Sequence, residues 1–365
     1  MNLVLQNVHK LVNQETYLKD VNLEFKSGSH NILLGRTLSG KTSLLRIMAG
    51  LDRPTRGNIL IGDKDVTGVS VRNRSVAMVY QQFINYPSLT VYNNIASPLK
   101  TSGMNKGDID RHVRETAEML HIENLLDRLP SELSGGQQQR TAIARALVKD
   151  AELLLLDEPL VNLDYKLREE LRIELREIFK RREAIVIYTT TEPAEALMMG
   201  GNIVVIDEGR VLQTGSTPEV YHNPATTKVA EVFSDPPINY LPCTVRERTA
   251  SLGEQIEFPL TNHLQSLSAA QYIFGVRPNH LSLNRASAED TEIRTKVELA
   301  EINGSETFIH VMYNGSRLVI QEDGVHPHQM GAEISIYVNP SNFFVFDQAG
   351  VLVASPGRNS FEKPL

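Results

Sequence analysis

The stretch GRTLSGKT, residues 35–42, decides the fold of this chain. It fits the pattern G-x-x-x-x-G-K-[ST], follows the apolar run NILL and opens the helical pattern KTSLLRIMAG. Between a strand and a helix, this pattern is typical of a phosphate-binding loop, or P-loop. Its glycines let the backbone wrap closely around phosphate, and the N–H groups of the loop and the helix start donate to phosphate oxygens. The stretch therefore predicts a nucleotide site inside an α/β fold.

Every residue of this loop is a candidate nucleotide contact, together with the serine that follows it. These candidates are Gly35, Arg36, Thr37, Leu38, Ser39, Gly40, Lys41, Thr42 and Ser43. Lys41 is expected to neutralise charge on the β- and γ-phosphates, and Thr42 to place its hydroxyl on Mg²⁺. The alternative for the pattern alone is an ordinary strand–turn–helix that binds nothing.

A second motif, LLLLDEP at residues 153–159, places two carboxylates at the end of a buried strand. Open α/β sheets bind their ligands at the carboxyl ends of the strands. Asp157 is expected to hold Mg²⁺ through water, and Glu158 to polarise an attacking water as general base. Taken alone, such a pair is more often a solvated strand end. Its place downstream of a P-loop favours the catalytic interpretation.

The order of apolar runs predicts a parallel sheet covered by helices on both faces. From about residue 31 to residue 208, runs of strand length alternate with amphipathic helical stretches. The predicted strands are residues 31–34, 76–80, 152–158 and 184–190. Between the second and third of these strands lies a helical insert, at about residues 91–149.

The pattern changes at SDPPINYLP, residues 234–242, where three prolines interrupt it. Short alternating segments follow, separated by Gly, Asn and Pro, and they predict a small antiparallel β domain. We therefore expect one domain over residues 1–235 and a second over 236–365, with the boundary near Asp235. The last ten residues are expected to form a poorly ordered tail.

The composition of the 365-residue chain is that of an ordinary globular protein, with 41% hydrophobic and 22% charged residues. Cys243 is the only cysteine, so no intrachain disulfide can form. The N-terminus has no signal-peptide pattern, and no run of about 18 apolar residues occurs, so we expect a chain that neither spans a membrane nor is secreted. The net charge of −7 argues against a broad nucleic-acid surface.

A third motif, LSGGQQQR at residues 133–140, carries a family resemblance. Ser134 and Gln137 are spaced as a capping box, so that Gly135, Gly136 and the first helical turn would present N–H groups to an anion. Placed between the P-loop and LLLLDEP, the motif resembles the signature of ABC-transporter ATPases. Residues 1–235 also contain that family's other motifs in order. These are YQQ, with Gln81 as the Q-loop glutamine, a candidate catalytic and Mg²⁺ contact, and NLD, with Asp164 as the D-loop aspartate, a candidate nucleotide contact.

The segments GVRPNH and VELAEINGSETFIHV, after residue 270, resemble the regulatory β domain of maltose-type sugar and polyol importers. The resemblance implies an OB-like barrel, a second ATPase subunit, two transmembrane permease subunits and an external binding protein. It also implies a peripheral position on the cytoplasmic face of the bacterial inner membrane. In this family two subunits enclose ATP and Mg²⁺, one supplying the P-loop and the other the signature.

Three departures from the family pattern lie in one half of the nucleotide site. Thr191 stands directly after YTT, where the family has its switch histidine; a threonine hydroxyl is shorter than imidazole and carries no positive charge. In the P-loop, Leu38 stands where the family usually has glycine and Arg36 where it often has proline, and the β-carbon of Leu38 restricts the loop. The aromatic that stacks on adenine should fall near Val12, and the nearest candidate is Tyr17.

The sequence therefore predicts a weak nucleotide half-site beside an intact signature. That combination favours pairing with an unlike ATPase, and several segments resemble one of the two ATPases of the bacterial glycerol importer. The alternatives are a slow homodimer of another sugar or polyol importer, a regulatory subunit that binds ATP but hydrolyses little, and a repair or translation ATPase. Phe83, Tyr86 and Tyr92 are candidate linings of a permease groove, or plain core of the insert.

Overall fold

The computed structural model describes residues 1–253 and 256–356. Contacts group them into two compact units, Met1–Thr217 and the chain from Pro218 onward. The predicted boundary near Asp235 lies inside the second unit and stays a prediction of where the ATPase motifs end. Of the predicted C-terminal tail, all but Pro356 lies outside the described residues.

The central sheet of the first unit contains six strands in the order β10-β9-β3-β8-β7-β6. They are β3 (His30–Leu34), β6 (Val76–Val79), β7 (Leu153–Asp157), β8 (Ile185–Thr190), β9 (Asn202–Asp207) and β10 (Arg210–Ser216). The first five of these are parallel in the sheet, and β10 pairs antiparallel with β9. The four strands predicted from the apolar runs are thus confirmed, and their carboxyl ends meet at one edge.

A second, antiparallel sheet in the same unit was not predicted from the sequence. It has the order β2-β1-β4-β5, with β1 (Leu3–Val12), β2 (Glu15–Phe25), β4 (Arg56–Ile61) and β5 (Lys64–Asp65). Apolar side chains of β1 and β2 alternate with exposed ones, and the inward set joins the core beneath the P-loop helix. This period of two is typical of a half-buried sheet.

Helices cover the sheets, and three of them form the insert between β6 and β7. The helices of the first unit are α1 (Lys41–Ala49), α2 (Val91–Thr101), α3 (Lys106–Met119), α4 (Gly135–Leu147), α5 (Tyr165–Lys180) and α6 (Pro193–Met199). The second unit begins, along the chain, within α7 (Thr217–His222), which α8 (Thr227–Val232) follows. None of the described helices is long and apolar enough to cross a membrane.

The second unit contains two antiparallel sheets around a shared apolar core, which confirms the predicted small β domain. One sheet has the order β13-β12-β11-β14-β20-β21 and the other β15-β19-β16-β17-β18. The strands are β11 (Asn239–Arg246), β12 (Thr249–Leu252), β13 (Ile256–Pro259), β14 (Ala270–Val276), β15 (Leu281–Ser282), β16 (Thr291–Ile302), β17 (Glu306–Tyr313), β18 (Ser316–Asp323), β19 (Glu333–Val338), β20 (Phe344–Phe346) and β21 (Leu352–Ala354). Cys243 is buried in this core, and burial raises the pKa of its thiol to about 12. The thiol is therefore inert near neutral pH.

Candidate active site

A cavity of about 770 Å³ opens at the carboxyl edge of the central sheet, over the P-loop. It is lined by Glu15, Thr16, Tyr17, Lys19, Thr37, Leu38, Gly40, Lys41, Thr42, Ser43, Gln81, Glu158, Val161, Thr191, Glu208 and Gly209. Three neighbouring parallel strands position the central groups of the cavity. Strand β3 leads into the P-loop, β7 into Glu158 and β8 into Thr191. Of the loop residues predicted from the sequence, Gly35, Arg36 and Ser39 do not line the cavity.

Lys41 is buried at the floor of this cavity, in the first turn of α1. Its ammonium donates to the carbonyl oxygens of Gly35 and Arg36 at 2.8 and 3.0 Å, and pairs with a carboxylate oxygen of Glu158 at 3.2 Å. Burial lowers the pKa of Lys41, and Glu158 opposes that shift. An incoming phosphate would stabilise the charged lysine in the same way as the carboxylate does.

The second buried charge is Asp157, the last residue of β7. One of its carboxylate oxygens accepts hydrogen bonds from the hydroxyls of Thr42, at 3.2 Å, and Thr189, at 3.0 Å. Burial raises the pKa of Asp157, and these two hydrogen bonds oppose the shift. A hydroxyl and a carboxylate held together are hard oxygen donors of the kind that Mg²⁺ prefers, so the residues fit that ion.

Glu158 occupies a strained backbone position with φ 42°. Its N–H donates to the Thr189 hydroxyl at 2.9 Å, which holds the turn in place. One side-chain oxygen accepts from the Gln81 amide at 3.4 Å, while the other pairs with Lys41. Non-glycine residues at positive φ cluster at functional sites, where the surrounding structure maintains the strain. The carboxylate predicted as general base therefore points into the cavity between the P-loop and Gln81.

Leu38 is the departure in the P-loop, and its backbone takes the left-handed conformation, with φ 67°. A glycine adopts this conformation without penalty, whereas an L side chain costs about 1–2 kcal/mol there. The leucine side chain is 95% exposed, so no packing offsets that cost. The sequence predicts that Leu38 restricts the geometry of the P-loop, and the structure shows this restriction as a strained backbone at Leu38.

We expect Leu38→Gly to raise the free energy of unfolding of the chain by about 0.5–1 kcal/mol, because relief of strain exceeds the extra freedom of glycine in the unfolded state. Chemical denaturation of the purified chain measures the change. Leu38→Ala is the matched control, since it keeps the β-carbon and removes only exposed atoms. Equal stabilisation by alanine and glycine would contradict the backbone explanation.

Thr191 lines the cavity directly after β8, the strand beside the one that leads into the P-loop. The next residue, Glu192, forms an ion pair with Arg168 of α5 at 2.5 Å. Arg168 also donates to the carbonyl oxygens of Val161 and Leu163, at 3.4 and 3.5 Å. Arg168 thus attaches the segment at the switch position to the loop that follows Glu158. The switch position itself holds the hydroxyl of Thr191, where the family has an imidazole.

Tyr17, the predicted adenine contact, lines the cavity and is 41% exposed. Val12, the position expected by count from the family pattern, is not among the lining residues described. The β1–β2 hairpin therefore brings an aromatic ring to the rim of the cavity from a different position in the sequence. Its surface is available for stacking, as a purine contact requires.

The signature turn forms the predicted capping box, which the structure confirms. Ser134 caps α4, its hydroxyl accepting from the Gln137 N–H at 3.4 Å, while the Gln137 side chain accepts from the Ser134 N–H at 3.0 Å. Ser134 and Gly135 are exposed, and neither lines the cavity of this chain.

The nucleotide contact expected of Gly136 stays a prediction. Gly136 is buried, and a β-carbon built there would lie 2.6 Å from Cδ1 of Leu167. A side chain at this position would displace the tip of the Leu167 side chain, which belongs to α5 of the same chain. At Gly135 the nearest contact of a β-carbon would be the Phe83 ring at 3.9 Å, so a side chain fits.

Asp164 is exposed and caps α5, because its carboxylate accepts from the Leu167 N–H at 3.1 Å. Its neighbour Tyr165 is 78% exposed. The loop before the cap is held by Asn162, whose amide donates to the Gln81 carbonyl at 2.9 Å. These contacts connect the NLD motif with Gln81 at the edge of the cavity.

Sequence reasoning missed two residues that organise the site. Thr189 bonds to both Asp157 and the Glu158 N–H, and Arg168 joins the switch segment to the following loop. The threonine could have been found from the parallel register, since Thr189 lies beside Asp157 on adjacent strands. Nothing in the local sequence marks Arg168, which lies on a helix rich in charged residues.

A P-loop under a cavity, acidic residues at the end of β7 and a capped Ser-Gly-Gly turn define a P-loop nucleotide hydrolase of the ATP-binding cassette type. The family model described as ABC transporter matches residues 18–161, and that of the TOBE domain matches residues 274–346. The chain is 37% identical over 360 residues to the maltose/maltodextrin import ATP-binding protein MalK of Yersinia pestis, with 96% of both chains covered.

A second relative and a solved structure support the same family. The trehalose/maltose import ATP-binding protein MalK of Thermococcus litoralis is 38% identical over 361 residues, covering 94% of this chain and 97% of the relative. The dimeric, post-hydrolysis structure of the ATP-binding cassette MJ0796 with ADP and phosphate has a TM-score of 0.53 and 30% identity. That match covers 59% of this chain and 98% of the other. The protein therefore belongs to the ABC-transporter ATPases of the MalK type, a family of enzymes that use ATP with Mg²⁺.

Proposed function

We propose that this chain is the energy-coupling subunit of a bacterial importer for glycerol, and that it works beside a second, unlike ATPase. It lies on the cytoplasmic face of the inner membrane, against two permease subunits that receive substrate from an external binding protein. The observation that supports pairing with an unlike ATPase is the position of Thr191, which lines the nucleotide cavity with Lys41 and Glu158. No histidine lines that cavity among the residues described.

In this proposal the residues predicted from the sequence have distinct roles. Lys41 and the P-loop backbone would bind the phosphates, Tyr17 would stack on the base, and Thr42, Asp157 and Gln81 would hold Mg²⁺. The ion supplies positive charge at the phosphates when it is bound. Glu158 orients and deprotonates the attacking water, but no imidazole fixes that water against the γ-phosphate. Binding is therefore retained while turnover at this half-site is slow.

The signature of this chain serves the nucleotide held by the partner. Ser134 and Gly135 are exposed at the start of α4, outside this chain's own cavity, and the capping box keeps their helix start in shape. A helix N-terminus with exposed N–H groups stabilises an anion. The competent site of the assembly then consists of the partner's P-loop and this chain's signature turn.

The choice of glycerol rests on resemblance of the segments around the motifs to one ATPase of the glycerol importer. The named relatives support a second candidate, a homodimeric ATPase of a maltose or trehalose importer, because they match 94–96% of the chain. Purification of the complex from the native membrane distinguishes the candidates. Two different ATPase chains in one complex support the glycerol importer, and a single kind of ATPase chain supports the homodimer. A soluble complex of this chain with ATP but no permease would instead support a regulatory subunit.

We expect Glu158→Gln in this chain to reduce ATP hydrolysis by the assembled transporter less than threefold. The equivalent change in the partner should reduce it by about a hundredfold or more, the usual effect of losing a general base. Phosphate release from the purified complex measures both variants. Glu152→Gln is the matched control, because Glu152 is exposed at the opposite end of β7. Equal loss from the two glutamate changes would contradict a degenerate site.

A further inference from the structure

A buried carboxylate follows the switch position by four residues. Glu195 belongs to the first turn of α6 and is 6% exposed. It forms no ion pair with any described residue, and Arg168, the basic group whose charge acts on it, is itself paired with Glu192. A buried carboxylate costs free energy unless hydrogen bonds replace those of the lost water. What this carboxylate does therefore depends on the groups that donate to it.

Two hydroxyl groups of β8 form hydrogen bonds with this carboxylate. Tyr188, which is fully buried, donates its phenolic proton to one oxygen of Glu195 at 2.8 Å. Burial raises the pKa of Glu195, and hydrogen bonds from Thr190 and Tyr188 oppose that shift. Residues two apart on a strand point to the same face, so both hydroxyls reach α6 from one side of β8. Thr189, between them, bonds to Asp157 instead.

Thr190 connects this carboxylate with the switch segment and with the P-loop. Its hydroxyl oxygen accepts from the N–H of Glu192, the residue after the switch position, at 3.0 Å. Its carbonyl oxygen accepts from the N–H of Gly35, the first residue of the P-loop, at 3.3 Å. A hydroxyl has a single proton, and that of Thr190 is directed to Glu195. The carboxylate therefore fixes the rotation of the Thr190 side chain, which in turn holds the backbone on the far side of Thr191.

We propose that Glu195 is a positioning residue, which aligns the Thr190 hydroxyl and thereby holds the switch segment at the nucleotide cavity. Hydrogen bonds to a charged acceptor are stronger than those between neutral groups, so the carboxylate suits this role better than an amide would. The side chain at position 191 enters the cavity from a turn held on both sides, by Thr190 and by Glu192. The switch position is thus fully supported, although it carries a threonine.

Hydrogen exchange of the purified full chain, read by mass spectrometry, tests this role without any partner. Glu195→Ala removes both acceptor oxygens and should accelerate exchange at the Glu192 N–H about tenfold or more, the effect of losing a hydrogen bond to a charged group. Glu195→Gln keeps one acceptor oxygen and should have a smaller effect. Amides of β1 and β2 should exchange as in the wild type. Unchanged exchange at Glu192, or equal acceleration throughout the first unit, would overturn the proposal.

Glu174→Gln is the matched control. Glu174 is also a carboxylate of low exposure in the same unit, but its partner is Arg140 on α4, and it does not contact the switch segment. The change should leave exchange at the Glu192 N–H as in the wild type. Acceleration there equal to that of Glu195→Ala would count against the proposal, because the loss of any shielded carboxylate would then suffice.

Thr190→Val tests whether Glu195 acts through the hydroxyl of Thr190. Valine keeps the shape of the side chain and the carbonyl that accepts from Gly35, but it has no hydroxyl. Added to Thr190→Val, the change Glu195→Ala should accelerate exchange at Glu192 little further, since both variants break the same connection. Glu195→Gln replaces the alanine variant in this cycle if alanine folds poorly. Independent, additive effects of the two changes would show that Glu195 acts by another route.

A second measurement rests on the proposed function and uses the assembled transporter, with Thr191→His in this chain and the partner's catalytic glutamate replaced. Adding Glu195→Ala should lower the hydrolysis gained by the histidine about tenfold, while the Kd for ATP changes less than twofold, because the phosphate contacts of Lys41 do not pass through Glu195. A loss of ATP affinity as large as the loss of rate would overturn a positioning role. If Thr191→His alone gives no gain, the proposed cause of the weak half-site fails, and hydrogen exchange still decides the role of Glu195.

Discussion

Ser134→Arg in this chain is expected to reduce ATP hydrolysis by the assembled transporter about a hundredfold or more, the cost of losing a preorganised electrostatic group. The serine is exposed at the start of α4 and outside this chain's own cavity. A long cationic side chain there obstructs the helix start at which the partner's γ-phosphate would bind. The same change in the partner's signature should have a small effect, because it would complete only the weak site. Phosphate release under saturating substrate and binding protein measures both.

The arginine also removes the cap of α4, so the controls must separate the two effects. Ser134→Ala removes the same cap, at a cost of about 1 kcal/mol of stability, without placing a cation at the helix start. Gly135→Asp places a negative charge at the site, and the structure leaves space for a side chain there. Gly136→Asp is a less clean variant, because its β-carbon would displace the Leu167 side chain. If Ser134→Ala were as damaging as Ser134→Arg, the loss would reflect folding of α4.

The assembly of the site could be predicted from the sequence because each motif ends a parallel strand. Lys41, Glu158 and Thr191 are far apart along the chain, but they follow β3, β7 and β8, which are neighbours in the sheet. Carboxyl ends of neighbouring parallel strands meet at one edge, so their convergence follows from the strand pattern alone. The capping box of α4 is equally local, since it depends only on the spacing of Ser134 and Gln137.

Contacts between helices could not be predicted in this way. The burial of Gly136 against Leu167 depends on the packing of α4 against α5, which no local pattern encodes. The ion pair of Arg168 with Glu192 likewise joins a helix to a turn after another strand. The sequence predicts a ligand contact for the glycine and gives no signal for the arginine. Both contacts become visible only in the fold.

Leu38 has one property that the sequence predicts and another that only the fold shows. Its β-carbon predicts restricted loop geometry, but the sequence does not say whether the loop adapts or the residue is strained. The positive φ and the 95% exposure answer that question, because the loop keeps a left-handed conformation and the side chain projects into solvent. The P-loop thus keeps its shape, and the backbone of Leu38 is strained.

Thr191→His is expected to activate the half-site of this chain. The experiment uses a complex in which the partner's catalytic glutamate is replaced, so that the remaining hydrolysis reports on this chain's own cavity. Imidazole at position 191 can reach further into the cavity than a hydroxyl and can carry positive charge towards the γ-phosphate. Hydrolysis should rise on the order of a hundredfold, the value of one preorganised group at the reacting charge.

Thr191→Asn is the matched control, since it adds length and polarity without a titratable ring, and it should raise hydrolysis far less. Glu158→Gln combined with Thr191→His should abolish the gain, because the histidine acts on a water that Glu158 deprotonates. If the histidine alone produces no gain, adding Leu38→Gly tests whether the strained P-loop limits the site instead. A double variant that also stays inactive while binding ATP would contradict the view that position 191 determines the weakness of this half-site. A strong loss in Thr191→Ala would contradict it as well, because the hydroxyl would then already be catalytic.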